Sequence, residues 1–139
     1  MKTAKELLLS YLENINDADK LIKLFAEDAT IELPYLGSLG MPWQWHGKAV
    51  VDQFLRSLPH TFSGFVFRNI RIHIDTPGQV FGEYEVDATA VATGLPYKQA
   101  YMGRLVAENG KIKLIREALD MVQVVKSMFP DGAPGLPGK

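Results

Sequence analysis

The sequence contains no cysteine, which excludes disulfides, thiolate metal ligands and cysteine nucleophiles. It also lacks an excess of charge, since 15 Lys and Arg against 16 Asp and Glu give a formal net charge of -1. Without a basic cluster, binding to nucleic acid is disfavoured. The N-terminal region has only Leu7 to Leu9 as a continuous apolar run, too short for a membrane span or the core of a signal peptide. We therefore expect a soluble, cytoplasmic protein.

The chain length fits one domain. With 139 residues, the chain can bury a substantial core without disulfides. We predict a single domain over residues 1–128. The last segment, FPDGAPGLPGK at 129–139, is rich in Pro and Gly, which predicts a disordered tail.

The first 60 residues carry helical patterns. Thr3 and Glu6 have capping-box spacing, and the apolar residues that follow lie on one helical face. A second short amphipathic helix follows, and then a short strand, ATIEL. A third helix carries Phe54 on its apolar face and is expected to end at Pro59.

From residue 62 onward the apolar pattern changes to a period of two. Four strand-like runs are separated by short turns, and the Asn109-Gly110 pair is a strong signal for a type I′ hairpin. Consecutive strands with tight turns form an antiparallel meander. The predicted fold class is α+β, with three N-terminal helices packed on one face of a curved antiparallel sheet. The four runs are 65–74, 79–92, 97–108 and 111–119.

This order of elements, with the segments LFAEDATIELP, WHGKAVVDQF and LVAENGKIKLIREALDM, resembles the nuclear transport factor two-like superfamily. Within it, the chain is similar to SnoaL-like and ketosteroid-isomerase-like proteins over Leu7 to about Met128. The resemblance implies a cone-shaped sheet around an apolar cavity, and a homodimer formed through the outer sheet face. Such proteins include isomerases, polyketide cyclases, dehydratases, epoxide hydrolases and members that only bind or dimerise, so the fold alone selects no reaction.

Two groups within the superfamily suggest site residues. Ketosteroid isomerases use a tyrosine and a protonated aspartate as oxyanion donors and a carboxylate as base. Tyr11 matches the tyrosine, but Leu33 and Met102 hold the other two positions. Steroid isomerisation by that mechanism is therefore not expected.

A closer resemblance, to the phenazine-biosynthesis type, rests on FRNIRIHIDTPGQVFGEYEVDATA and on the following ENG…RE hairpin. In that group the glutamate of the RE pair is an acid/base in the cavity, which implies this role for Glu117. The histidine that accompanies it there has no match in GKAVVDQFLRSLP.

The strand pattern around Glu117 is compatible with an inward position. If Ile115 and Leu119 face the core, Glu117 does too. Leu114 and Ala118 make the other face apolar as well, so periodicity alone does not decide between the two faces. Burial then raises the pKa of its carboxyl toward the range useful for acid/base catalysis. The alternative is a structural ion pair with Arg104 on the neighbouring strand.

Other candidates for the site are polar or aromatic. Tyr11 or His46 could polarise a substrate oxygen, although a tyrosine on an apolar helix face is most often part of the core, and the histidine at the entry to the third helix looks structural in related proteins. Aromatic residues in the loop before the third helix could stack on a planar ligand at the cavity mouth, or instead form a lid or dimer contact. The predicted substrate-binding residues are Tyr35, Trp43, Trp45, Phe54, Met102 and Leu119.

The alternating acids Glu83, Glu85 and Asp87 face Arg71 and His73 on the partner strand, which predicts a charge-paired outer sheet face and not a metal site.

Two functions remain open. The first is a cofactor-free acid/base isomerase, cyclase or dehydratase that acts on a small, apolar, cyclic carbonyl compound. The second is a non-catalytic ligand-binding or dimerisation module of the same fold. A cavity beside Glu117 would favour the first, and a filled interior the second.

Overall fold

A computed structural model describes residues 1–133 and confirms the α+β class. The α-helices are α1 (Ala4–Glu13), α2 (Ala18–Ile22), α3 (Lys48–Thr61) and α4 (Met121–Met128). The strands are β1 (Phe25–Glu32), β2 (Gln44–His46), β3 (Phe62–Ser63), β4 (Phe67–Asp75), β5 (Gln79–Ala90), β6 (Pro96–Glu108) and β7 (Lys111–Leu119). A 3₁₀ helix covers Pro34–Leu39.

The strands form one curved sheet in the order β2-β1-β7-β6-β5-β3, with β4 also paired to β5. The predicted meander is confirmed as antiparallel pairing of β4 with β5, β5 with β6, and β6 with β7. The early strand, β1, adds to the far side of β7 in parallel, a pairing that the sequence pattern did not predict. Register shifts in β4 mark irregularities of the bulge type, which bend a strand.

Local signals explain the ends of several elements. The capping box of α1 is present, with Glu6 N–H donating to Thr3 Oγ1 at 3.3 Å and Thr3 N–H donating to Glu6 Oε1 at 3.0 Å. Asn109 and Gly110 both have positive φ, 53° and 73°, as a type I′ turn requires. The predicted hairpin between β6 and β7 is therefore confirmed.

The boundaries of α3 differ from the prediction. The helix passes Pro59 and ends at Thr61, where Phe62 N–H donates to the Leu58 carbonyl. Pro59 lacks a backbone N–H, and the helix ends two residues after it. The loop before α3 is also more regular than predicted, because Trp45 belongs to β2, which pairs with β1.

The predicted tail begins with a turn. The Phe129 carbonyl accepts a hydrogen bond from Gly132 N–H at 3.0 Å, and Ala133 is only 3% exposed. Residues 134–139 of the predicted tail lie outside the described residues.

The outer face of the sheet carries the predicted charge pairs. Arg71 contacts Glu85 at 3.1 Å and His73 contacts Glu83 at 2.8 Å. Within residues 1–133, no cluster of three or more His, Asp or Glu side chains is arranged to hold a metal ion. In the same range, no helix has the length and apolar character needed to cross a membrane.

Candidate functional site

A cavity of about 390 Å³ lies between the concave face of the sheet and helices α1, α3 and α4. Most of its wall is apolar, and five of its side chains are Trp or Phe: Trp45, Phe54, Phe62, Phe65 and Phe67. Its ionisable side chains are one carboxylate, Glu117, and the three tyrosines Tyr11, Tyr97 and Tyr101. None of the lining residues within 1–133 is Lys, Arg or His. The cavity therefore offers an acid but no cationic partner for an anion.

Glu117 is the buried acid of this cavity. Strand β7 alternates so that Ile115 and Glu117 face inward, and Glu117 is only 4% exposed. Loss of hydration raises the pKa of its carboxyl to about 7, although the hydrogen bond from Tyr84 works in the opposite direction. Glu117 therefore titrates in the range where a carboxyl group can both accept and return a proton near neutral pH.

Tyr84, which lies two strands away on β5, supplies that hydrogen bond. Its O–H donates to Glu117 Oε2. Gly103 of β6 pairs with Glu117 of β7 and lies between the two side chains. A Cβ atom at this position would overlap the Tyr84 hydroxyl. The absence of a side chain at Gly103 thus lets Tyr84 reach across the middle strand. Among residues 1–133, Oε2 is the only atom of this carboxyl group that takes part in a side-chain hydrogen bond.

A second hydrogen-bond network includes Tyr97, Tyr101 and Gln99. The hydroxyls of the two tyrosines lie 3.0 Å apart, and Gln99 Nε2 donates to the Tyr97 hydroxyl at 3.2 Å. Gln99 also binds the Asp120 backbone through both ends of its amide, at 3.0 Å and 2.6 Å. This network joins β6 to the first residue before α4.

Tyr11 extends from α1 into the cavity, and its side chain is 2% exposed. Burial raises the pKa of its phenol well above the usual range, and the charge of the nearby Glu117 carboxylate raises it further. The phenol therefore keeps its proton at neutral pH. Among residues 1–133, none of the side-chain hydrogen bonds involves this hydroxyl, which leaves it available to a ligand.

The structure brings together part of the predicted site. Glu117 and Tyr11 line the cavity, as do three of the predicted substrate-binding residues, Trp45, Phe54 and Leu119. Trp45 and Phe54 contact each other, with ring centroids 4.0 Å apart. The aromatic wall at this end therefore comes from β2 and α3 together.

Four other predicted site residues lie away from the cavity. Met102 is 52% exposed because the alternation of β6 turns Tyr101 and Gly103 inward instead. His46 is exposed on β2, and its Nδ1 lies 2.8 Å from the Thr30 hydroxyl. The remaining two, Tyr35 and Trp43, are 55% and 36% exposed. We leave these four out of the proposed site.

The structural alternative for Glu117, an ion pair with Arg104, is wrong. Arg104 pairs with Arg116 in the register of β6 and β7, one position from the Gly103–Glu117 pair, so its side chain points to the opposite face. There it donates to Gln79 Oε1 at 3.2 Å. The buried carboxyl thus has a tyrosine partner and no cationic one among residues 1–133.

Sequence reasoning missed Tyr84, Tyr97, Gln99 and Tyr101. The signal was present in the alternation of β5 and β6. If Glu83 and Glu85 face outward, Tyr84 between them must face inward. The same alternation on β6 places Tyr97, Gln99 and Tyr101 on one inner face.

The sequence profile of the SnoaL-like domain matches residues 10–115 of this chain. The chain belongs to the SnoaL-like family. It therefore belongs to the nuclear transport factor two-like superfamily, as the resemblance implied. The matched range ends two residues before Glu117 and does not test the role of that residue.

Individual proteins are also similar to this chain in sequence or in structure. YesE of Bacillus subtilis, an uncharacterized protein, is 28% identical over 130 residues, which cover 92% of this chain and 85% of YesE. A crystal structure of a Bacillus subtilis protein proposed to be an isomerase has a TM-score of 0.80 at 23% identity, covering 98% of this chain and 96% of the other. The phenazine biosynthesis-related protein of Pseudomonas aeruginosa has a TM-score of 0.78 at 21% identity, covering 90% and 84%. These structures share the fold of this SnoaL-like chain.

Proposed function

We propose that this SnoaL-like protein is a cofactor-free acid/base enzyme in which Glu117 transfers a proton on a small, apolar, cyclic carbonyl compound. The reaction class would be isomerisation, cyclisation or dehydration. One observation carries the proposal: a carboxyl group 4% exposed, with a pKa raised to about 7, lines an apolar cavity of about 390 Å³. Perturbed acids in clefts are typical of catalytic sites.

The roles follow from the contacts. Tyr84 binds Glu117 Oε2, which leaves Oε1 to take a proton from the carbon next to the substrate carbonyl. Tyr11 lines the same cavity and keeps its phenolic proton, so it can donate a hydrogen bond to the oxygen that becomes negative. Return of the proton to another carbon isomerises the compound, whereas return of the proton to a departing β-hydroxyl group, which leaves as water, dehydrates it.

The walls limit the substrate. A volume of about 390 Å³ lies at the lower end of the range for small-molecule pockets, roughly 300–1,000 Å³. The Trp and Phe side chains favour a flat apolar body. With Glu117 as the acid and no cationic lining residue within 1–133, a carboxylate or phosphate substrate would be repelled, so a neutral carbonyl compound fits best.

A proton-exchange assay tests the proposal without knowledge of the natural substrate. Cyclohexanone, 2-cyclohexenone and 1-tetralone would be incubated with the protein in D₂O, and loss of their α-proton signals followed by ¹H NMR. We expect exchange with the wild-type protein and a loss of at least about a hundredfold in Glu117→Gln, the range of acid/base contributions. Glu13→Gln, at an exposed helical position, should exchange like wild type.

Two results would contradict catalysis by Glu117. One is equal exchange by wild type and Glu117→Gln, which would place the chemistry elsewhere. The other is binding of these ketones, seen as a rise in melting temperature, with no exchange by the wild-type protein. The second result would identify the chain as a ligand-binding module of the same fold.

We also propose a homodimer through the outer sheet face. The resemblance to the superfamily implies pairing through this face, and Met102 is 52% exposed there, where a partner could cover it. Sedimentation equilibrium should give twice the chain mass of 15.5 kDa, and Met102→Glu should weaken the association. A monomeric wild-type protein at micromolar concentration would contradict the proposal.

A further inference from the structure

The inner face of β6 carries a hydrogen-bonded chain whose direction is fixed at one end. Gln99 Oε1 accepts from two backbone N–H groups, those of Ala100 at 2.9 Å and Asp120 at 2.6 Å. Its Nε2 donates to the Asp120 carbonyl at 3.0 Å and to the Tyr97 hydroxyl at 3.2 Å. Because backbone N–H groups can only donate, the amide of Gln99 cannot be reversed, and Tyr97 must accept from it.

This direction continues to Tyr101. The Tyr97 hydroxyl already accepts from Gln99, and a hydroxyl that accepts a hydrogen bond becomes a stronger donor. Across the 3.0 Å between the Tyr97 and Tyr101 hydroxyls either group can donate, and the contact from Gln99 favours donation by Tyr97. In that arrangement the Tyr101 proton can point into the cavity, which Tyr101 lines.

Tyr101 also faces the same part of the cavity as Glu117. In the register of β6 and β7, Tyr101 pairs with Leu119 and Gly103 pairs with Glu117. The two positions are neighbours on the inner face, about 7 Å apart along the strand. A carbonyl compound between them can present its oxygen to one side chain and its α-carbon to the other.

We propose that Tyr101 is a catalytic hydrogen-bond donor to the carbonyl oxygen of the substrate, and that Tyr97 and Gln99 are positioning residues that direct its proton into the cavity. The proposal rests on the proposed function, because it adds to that reaction a second hydrogen-bond donor beside Tyr11. It accounts for a polar network that Glu117 and Tyr11 do not use.

The chemical step balances without a further reagent. Glu117 Oε1 forms a bond to the α-proton, the C–H electron pair becomes a C=C bond, and the carbonyl π pair moves to oxygen. Tyr101 donates a hydrogen bond to that enolate oxygen and keeps its proton, since burial raises the pKa of its phenol well above the usual range. Return of the proton from Glu117 to carbon restores the carbonyl group.

The test uses 4-nitrophenol, whose phenolate oxygen resembles an enolate oxygen and whose ionised form absorbs visible light. It is carried out in the Glu117→Gln variant, because glutamine stands for the protonated acid that coexists with the enolate. The measured quantity is the ratio of the dissociation constants of neutral and ionised 4-nitrophenol. It is obtained from absorbance titrations across pH.

Adding Tyr101→Phe should reduce the preference for the phenolate by about tenfold or more, since hydrogen bonds to charged oxygens are the stronger class. Adding Tyr97→Phe should leave the Tyr101 donor in place and reduce the preference for the phenolate by only about two- to threefold. The reason is that Tyr97 no longer polarises the Tyr101 hydroxyl through the hydrogen-bonded chain. Tyr35→Phe, at an exposed tyrosine outside the cavity, should change nothing.

Three results would overturn the inference: no binding of 4-nitrophenol to Glu117→Gln, no effect of Tyr101→Phe, or a larger effect of Tyr97→Phe than of Tyr101→Phe. The last result would place the free proton on Tyr97. Failure here is distinct from failure of the proposed function. The proton-exchange assay depends on Glu117, whereas all 4-nitrophenol measurements are made without that carboxyl group.

Discussion

Replacing Glu117 with glutamine should remove a pH dependence from the stability of the protein. The pKa of this carboxyl rises from 4.5 to about 7 on folding because burial removes its hydration. Between these pH values the native state holds a proton that the unfolded state has lost. Since stability falls with pH wherever the native state binds more protons, this group makes the free energy of unfolding decrease from pH 4.5 to about pH 7.

The magnitude follows from the shift. At 1.36 kcal/mol for each pKa unit, the difference between 4.5 and about 7 corresponds to roughly 3 kcal/mol. The ionised Glu117 therefore lowers the free energy of unfolding by about that amount above pH 7, compared with the protonated form. Glutamine can still accept a hydrogen bond from Tyr84 but carries no charge, so the variant avoids this loss.

Urea unfolding followed by circular dichroism at pH 4.5, 5.5, 6.5, 7.5 and 8.5 measures the effect. We expect the difference in free energy of unfolding between Glu117→Gln and wild type to grow with pH and to level off above about pH 7. Subtracting the wild-type free energy of unfolding from that of the variant cancels the pH dependence of other groups. One such group is Glu32: burial raises the pKa of its carboxyl, but the hydrogen bonds from Arg116 and Gln44 outweigh burial and lower it. The control Glu13→Gln should follow wild type. A constant difference across this range would refute the burial argument.

Three further predictions concern the surroundings of Glu117 and the outer sheet face. Tyr84→Phe removes the hydrogen bond that lowers the Glu117 pKa, so the midpoint of the same pH dependence should move above 7; a lower midpoint would contradict this. Gly103→Ala places a methyl group on the Tyr84 hydroxyl and should cost roughly 1–3 kcal/mol in urea unfolding, whereas Gly78→Ala, which meets open space, should be near neutral. Arg71→Met should cost at most about 1 kcal/mol in the same assay, because its ion pairs are half-exposed; a larger loss would mean that the outer face contributes more than its exposure allows.

The meander was predictable from local information: the alternation of apolar residues and the turn chemistry of Asn109-Gly110. The inward position of Glu117 needed the family pattern as well, because both faces of its strand carry apolar residues. The parallel pairing of β1 with β7 was not predictable in this way, because it joins residues that are 84 to 87 positions apart in the chain. Nor did a pattern in the loop before α3 indicate that Trp45 would enter a strand while Tyr35 remained exposed.

The polar partners of Glu117 were missed for a different reason. On β6 the family pattern directed attention to Met102, but a shift of one residue in a strand exchanges the two faces, and the inward residue is Tyr101. The contact between Tyr84 and Glu117 passes over Gly103 from two strands away. Such a contact needs the register of three strands, which the sequence alone does not provide.

The pH profile of α-proton exchange tests the central claim most directly, because it observes proton transfer by Glu117 itself. The exchange rate of the best cyclic ketone would be measured from pH 5 to pH 9 by ¹H NMR in D₂O, with wild type and Glu117→Gln. Since the ionised carboxylate is the base, the wild-type rate should rise with pH and level off above an inflection near the pKa of about 7, and the variant should show neither the rate nor the inflection. The same profile in Glu117→Gln would contradict the assignment of Glu117 as the acid/base group.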